Sequence, residues 1–285
     1  MTSDNEFPGL AQSSDVVLSW GLPRLRDLPW RRTRDPWAIL VSEVMLQQTQ
    51  VPRVIPKWLA FMEAFPTAGD CAAAPLGDVL RLWQGLGYPR RARNLQLAAS
   101  EVTRLGGFPA TLTELLALPG VGQYTARAVM AFAFEADAAV VDTNIARVFA
   151  RVGGQSLTAK QVQSEADQAL PPGLSWEWNQ CLMELGAILC RPIPTCEECP
   201  LAATCAWCGV GPDPAIGSAG VSRTQSRFEG SERQARGRLL KALTAGSVSV
   251  GAARGVMSHP AADRLLVALC SEGLVRVDGD TVRLP

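Results

Sequence analysis

A chain of 285 residues with 47% hydrophobic and 19% charged side chains can bury a substantial core, which excludes a disordered tail and predicts one large domain plus a smaller one. Basic and acidic residues balance at 27 each, so the chain as a whole has no positive excess to mark a nucleic-acid partner, and only a local basic face remains open. The opening MTSDNEFPGL has no basic start followed by an apolar run, and no later stretch is long enough to cross a bilayer; the expectation is a cytoplasmic protein with no membrane partner.

In chain order, the first two hundred residues predict helices almost throughout. Asp35-Pro36 supplies an N-cap and a first-turn proline, the helix runs through Glu43, and Val51-Pro52 ends it and starts the next. This stretch includes SEVMLQQTQ, residues 42–50, where Glu43 is followed by Gln47, Gln48 and Gln50 in otherwise apolar sequence. A solvated face would mix charge signs and a buried one would avoid such groups, so a chemical role is the better reading. Apolar residues then recur at helical spacing in Val54, Ile55, Trp58, Leu59 and Met62. Thr111 and Glu114 have capping-box spacing in front of LLAL.

The next motif, LPGVGQYTA at residues 118–126, lies between two predicted helices. Gly120, Val121 and Gly122 make a tight turn whose amides, with the start of the following helix, can face a phosphate oxygen. Such a helix-hairpin-helix grips a nucleic-acid backbone without reading bases. Ile145, Val148, Phe149 and Val152 mark the buried face of a later helix stopped by Gly153-Gly154. Asp142 directly precedes it, in the position of an N-cap.

Five of the eight cysteines crowd into residues 190–208, whereas Cys71, Cys181 and Cys270 lie singly in apolar sequence and read as core. Cys190, Cys196, Cys199 and Cys205 are spaced x5, x2 and x5, which suits either a zinc ion or a four-iron cluster; the single close pair leans to iron–sulfur. Cys208 is a spare thiol, free by spacing either to substitute for Cys205 or to remain unbound. His259, the one histidine, precedes a proline and reads as a surface residue, so no triad or metal site needing two histidines is possible. Residues 209–228 turn to glycine, proline and serine without periodicity, as in a linker. Residues 229–285 then predict three helices, the first capped by Ser231, and a hairpin turning at Asp278-Gly279, a winged-helix-like module.

These motifs together resemble the MutY-type adenine glycosylases of the helix-hairpin-helix, iron–sulfur DNA glycosylase superfamily. The matching runs are LPWR at 28–31, SEVMLQQTQ, GLGY at 85–88, RARNL at 91–95, LPGVGQYTA, VVDTN at 140–144 and MELGA at 183–187. The resemblance implies an all-α, two-lobed glycosylase domain over residues 1–208, with the cluster loop at 190–205 and the active site in the cleft. It implies a 4Fe–4S cofactor, with zinc as the alternative. The implied activity is removal of adenine opposite 8-oxoguanine or guanine in double-stranded DNA, by a nucleoid-associated monomer.

On its helix Glu43 shares a face with Ile39, Leu40 and Leu46, so its carboxyl is expected to be partly desolvated, with a raised pKa, and able to donate a proton. The resemblance makes that proton's target N7 of adenine. It also makes Asp142 the anion that faces the developing sugar cation, with Asn144 positioning it, although the family usually carries glycine where this chain has Thr143. Tyr124 stands where endonuclease III-like relatives place a lysine; a phenol cannot form a Schiff base, so base removal without efficient strand cleavage is expected. The resemblance further implies that Gln48 and Tyr88 act as wedges in the vacated base stack, and that Arg31 and Glu184 line the adenine pocket. Arg90, Arg91 and Arg93 are expected to meet phosphate.

Two features depart from the family. The loop between Cys190 and Cys196 is one residue shorter than usual, and the C-terminal module is smaller than the Nudix-like domain that inspects 8-oxoguanine. The alternatives are a non-catalytic DNA-binding protein on the same scaffold and a thymine-mismatch glycosylase. Retention of Glu43, Asp142 and Tyr124 together argues against the first; Glu43 argues against the second, because expelling thymine has no need of N7 protonation.

Overall fold

The computed structural model of the chain describes residues 10–221 and 227–285. Helix α1 (Ser14–Gly21) leads through short 3-10 turns to α2 (Pro36–Leu46), α3 (Val51–Ala64), α4 (Ala68–Ala73), α5 (Leu76–Leu82) and α6 (Arg90–Leu105). Next come α7 (Leu112–Ala117), α8 (Gln123–Ala133), α9 (Thr143–Val152), α10 (Ala159–Ala169) and α11 (Ser175–Ile188). The remainder is α12 (Glu232–Leu243), β1 (Val248–Ser249), α13 (Val250–Met257), α14 (Ala262–Ser271), β2 (Arg276–Asp278) and β3 (Thr281–Arg283). No helix is long and apolar enough to cross a membrane among the described residues.

Local sequence sets the helix ends. Helix α2 starts on Pro36 and α3 carries Pro52 in its first turn, where the missing N–H costs nothing. Thr67 with Asp70 and Thr158 with Gln161 form capping boxes for α4 and α10. Helix α6 stops at Gly106, which takes φ +78°, and α9 at Gly153.

The described residues divide into two compact units. One holds residues 10–36, 110–112 and 122–221. Its core packs Ile145, Val148, Phe149 and Val152 of α9 against Trp178, Leu182 and Leu185 of α11, as the periodicity predicts. The segment leading into α9 is held by Asn179, whose Nδ2 donates to the Ala138 carbonyl (2.9 Å) while its Oδ1 accepts from the Val140 amide (2.8 Å). Helix α1 lies so close to α11 that a Cβ on Gly21 would stand 2.5 Å from Cys181 Cβ. Residues 209–221, linker-like in composition, are bound to this unit. The Ala219 amide donates to the Leu157 carbonyl (2.8 Å), Ser218 Oγ accepts from the Leu157 amide (3.0 Å), and Asp213 pairs with Arg151 (2.7 Å).

The other unit holds residues 37–109, 113–121 and 227–285. Helix α2 is buried on every side from Trp37 to Met45. Trp37 donates to the Phe65 carbonyl (3.0 Å) and Trp58 to that of Ala38 (2.9 Å), while Phe61 contacts the rings of Trp37, Phe65 and Trp83. Removing a ring so enclosed costs about 3–5 kcal/mol, so this cluster anchors α2. At the chain's end, three helices carry an antiparallel sheet of order β1-β3-β2. The hairpin is present, but its two-residue turn is Gly279-Asp280, one residue later than expected, because Asp278 pairs with Thr281 and Gly279 takes φ +60°. Strand β1 has only two residues, too short for alternation to reveal.

Candidate active site

Glu43 is 4% exposed. The sequence put an apolar stripe beside it; the structure surrounds α2 with apolar packing, so the carboxyl is withdrawn from water further than one stripe requires. Beyond the end of α2, Gln48 takes φ +54°, and Tyr88, 40% exposed in the loop before α6, takes φ +48°. Non-glycine residues adopt this left-handed region only where their surroundings impose it, at a cost on the order of 1 kcal/mol each.

Arg91 joins the two segments that carry these residues. Its Nη1 donates to the carbonyls of Val44 (2.7 Å) and Gln47 (2.6 Å) at the end of α2, and its Nη2 to those of Leu86 (2.9 Å) and Gly87 (3.2 Å) in the loop. The guanidinium lies over the rings of Trp83 (5.5 Å) and Tyr88 (5.4 Å). One cation thereby satisfies the last carbonyls of α2 and ties Gln48 and Tyr88 to the same node. Burial draws the Arg91 pKa down to about 10, which leaves it charged near neutrality. The expectation that Arg91 meets phosphate is therefore corrected: it faces inward. Arg90 pairs with Glu272 (3.0 Å). Arg91→Met orphans these carbonyls and is expected to cost about 3 kcal/mol, read as a lower urea midpoint.

In the hairpin, Gly120 takes φ +77°, and a Cβ there would stand 2.7 Å from Asn94 Cβ, so conformation and space both demand glycine. Val121 is buried, its amide donating to the Leu118 carbonyl (3.1 Å). Gly122 is the exposed N-cap of α8, and Tyr124, in the first turn, is half-buried.

Asp142 caps α9. Its Oδ1 accepts from the amides of Asn144 (2.9 Å) and Ile145 (2.7 Å), and its Oδ2 from Asn144 Nδ2 (3.1 Å). Burial pushes the carboxyl above the usual carboxylate range, and the two amides and Arg147 draw it only part of the way back. Asn144 is fixed in turn: Arg147 Nη2 donates to its Oδ1 (2.8 Å) and to the Gly186 carbonyl (2.8 Å). A Cβ on Gly186 would stand 2.6 Å from Asn144 Cβ, which accounts physically for the glycine in MELGA.

Arg31 and Glu184 are brought together. Arg31 Nη1 donates to Glu184 Oε1 (2.7 Å) and Nε to Gln180 Oε1 (2.7 Å), while Arg26 Nε bonds both Glu184 oxygens (3.0 and 2.9 Å). Glu184 is wholly buried, so its charge rests on these two cations. Arg26 and Gln180 were missed from the sequence; the i, i+4 spacing of Gln180 and Glu184 in an apolar helix was the available signal.

Cys190, Cys196, Cys199 and Cys205 line one cavity, floored by Leu185 and Leu189, with Cys208 at its wall. Among the described residues, no three histidine, cysteine or carboxylate side chains are grouped closely enough to hold a single metal ion. Burial pushes the Cys199 thiol up to about 11 and raises that of Cys190, which Arg151 and Arg147 partly counter. Arg151, 1% exposed, is the cation of this wall: its Nη1 is 3.4 Å from Cys190 Sγ, it pairs with Asp213, and it lies 4.6 Å from the Trp207 ring centre. Arg147 and Arg151 were also missed, although two arginines one turn apart in an apolar helix are a legible anomaly. Cys71 and Cys181 are core thiols, each pushed up to about 12 by burial, whereas Cys270 is only half-buried.

By unit, Glu43, Gln48, Tyr88, Gly120 and Val121 belong to one, and Arg31, Gly122, Tyr124, Asp142, Asn144, Glu184 and the cysteine centre to the other. Residues 41–172 match the family described as HhH-GPD superfamily base excision DNA repair protein. The chain is 42% identical over 278 residues to an adenine DNA glycosylase of Mycolicibacterium smegmatis, a match covering 93% of this chain and 92% of that one. Among solved structures it resembles a thermostable thymine-DNA glycosylase (32% identity, TM-score 0.66, 70% of this chain and 95% of that one). It also resembles endonuclease III in a non-covalent DNA complex (26% identity, TM-score 0.61, 70% and 96%).

Proposed function

The chain belongs to the HhH-GPD superfamily of base-excision DNA-repair proteins and is a DNA glycosylase, and from that premise we propose that it hydrolyses the N-glycosidic bond of adenine mispaired with 8-oxoguanine or guanine in double-stranded DNA, acting as a monomer without efficient strand cleavage. The observation that carries this reading is Glu43, a carboxyl almost wholly withdrawn from water within the apolar packing of α2 and able to serve as a general acid. Its proton passes to N7 of adenine, the bond from N9 to C1′ breaks with its electron pair leaving on the purine, and a water adds to C1′, its released proton restoring the Glu43 acid. Asp142 supplies the negative charge that lowers the energy of the sugar cation, and Asn144, pinned by Arg147, orients it. Tyr124 has no amine to attack C1′.

Gln48 and Tyr88 fill the stack vacated by the extruded adenine; their imposed backbones and the exposure of Tyr88 support that role. Arg31, oriented by Glu184 and Gln180, lines the adenine pocket. Gly120, Val121 and Gly122 hold the DNA backbone. The likeness to a thymine-DNA glycosylase favours thymine opposite guanine as the second reading, and buried Glu43 weighs against it. Single-turnover cleavage of duplexes with A opposite 8-oxoguanine, A opposite G and T opposite G, followed by alkali, separates the readings. Adenine loss requiring alkali for strand breakage is the expected result, and release of thymine alone overturns it.

Cys190, Cys196, Cys199 and Cys205 would hold a 4Fe–4S cluster. Zinc sites more often pair two C-x2-C knuckles, whereas this loop has a single close pair and its four thiols line one cavity, which suits a larger inorganic core. When bound, the cluster joins the loop's thiolates into one covalent node. Arg147 and Arg151 offset its negative charge. Cys199→Ser is expected to abolish absorption near ~400 nm, and Cys208→Ser to retain it. A colourless Cys208→Ser protein would make Cys208 a ligand instead.

A further inference from the structure

The C-terminal helices and hairpin are joined to the rest of their unit at the loop that carries Tyr88. Arg233, in the first turn of α12, donates from Nη1 to the Tyr88 hydroxyl (3.1 Å). The start of α12 is itself fixed: Ser231 Oγ accepts from the Gln234 amide (3.3 Å), the Gly230 amide donates to Gln234 Oε1 (2.8 Å), and Glu232 pairs with Arg264. Just after α14, Glu272 pairs with Arg90 of α6 (3.0 Å) and with Arg236 of α12. Burial raises the Glu272 carboxyl, but the two guanidiniums more than offset this and hold it below its ordinary value. The next residue, Gly273, takes φ +64° and lies so near Arg93 that a Cβ would stand 3.2 Å from Nε. At the other end of the loop's supports, the Gly77 amide in α5 donates to the Pro285 carbonyl (3.1 Å).

These contacts frame one short loop. Its leading helix α5 is bound by the last residue of the chain, its trailing helix α6 by Glu272, and its aromatic tip by Arg233. The Tyr88 ring therefore has the Arg91 guanidinium on one side and Arg233 at its hydroxyl, on a left-handed backbone it would not adopt by itself. Over residues 227–285, nine basic side chains stand against six acidic ones, a sign compatible with a phosphate backbone nearby.

We propose that the C-terminal module is a working part of base extrusion: Arg233 is a positioning residue that holds the Tyr88 ring ready to enter the duplex. This rests on the reading of Tyr88 as a wedge. The charge-assisted bond fixes the ring's direction before DNA arrives, so less ordering remains to be done when the adenine leaves the stack.

The test is a double-mutant cycle in the full chain: Arg233→Ala, Tyr88→Phe and the pair together. Extrusion is read by 2-aminopurine fluorescence at the target position, and excision by single turnover on an A opposite 8-oxoguanine duplex. Each single variant is expected to slow extrusion and excision by about threefold to tenfold, and the double variant to be no slower than either, because both remove the same bond. A loss from Arg233→Ala that persists undiminished in the Tyr88→Phe background overturns the proposal, as does wild-type behaviour of Arg233→Ala. Tyr88→Ala separates the two levels: if it extrudes and excises normally, the wedge reading itself falls, whereas a slow Tyr88→Ala beside a normal Arg233→Ala sinks only the role of Arg233.

Discussion

Glu43→Gln is expected to stop adenine release while leaving the protein folded and bound to DNA. Glutamine matches glutamate in shape and keeps a polar head in the same place, so the packing of α2 from Trp37 to Met45 persists. Only the transferable proton is lost. A general acid of this kind contributes about 10²–10⁴-fold in rate, so single-turnover excision should fall by that factor while the midpoint of a DNA-binding titration stays within about threefold of wild type. Glu43→Leu, by contrast, removes the acid together with a buried polar group. Its excision should be equally absent, because no proton remains to be transferred. Excision by Glu43→Gln at the wild-type rate removes the proposed acid.

Asp142→Asn should be almost as damaging, on the order of 10²–10³-fold, and it isolates charge from architecture. Asparagine and aspartate cap helices about equally well, so the amides of Asn144 and Ile145 keep an acceptor and α9 keeps its start. Asp142→Ala should in addition lose about 1 kcal/mol of stability, measured by urea unfolding, because the cap disappears as well. If the asparagine variant retains full activity while the alanine variant is merely less stable, Asp142 is a cap and nothing more. The pH profile gives an independent check. The role requires the anion, and burial holds the Asp142 pKa above the ordinary carboxylate value, so excision should decline as pH falls through that raised pKa. An acid limb centred at or below the ordinary value contradicts the environment described for this group.

Helix boundaries were legible because their causes are local. Pro36, Pro52, Ser231 and Gly153 act within a turn of themselves, and the apolar spacing of Ile145, Val148, Phe149 and Val152 names the face that α11 covers. The hairpin was legible for the same reason, with a one-residue slip, since two strands of three residues leave the register to cross-strand pairing. Residues 209–221 were not legible as bound structure: Asp213, Ser218 and Ala219 are secured by Arg151 and Leu157, partners about sixty positions away, and no periodicity records such contacts.

What the amino-acid sequence determined by itself was chemistry: a carboxylate in an apolar helix, an aspartate ahead of another helix, a glycine turn between two more, and four spaced cysteines. Side-chain type and spacing carry that information because they need only the chain's own geometry. Tertiary structure alone decided direction. Arg91, identical in type to any phosphate-binding arginine, turns inward because the carbonyls at the end of α2 and in the loop before α6 outbid solvent for its guanidinium. Arg233 meets Tyr88 across 145 positions, beside the Glu272–Arg90 pair that also reaches α6, and no local rule encodes where a surface arginine will find its acceptor.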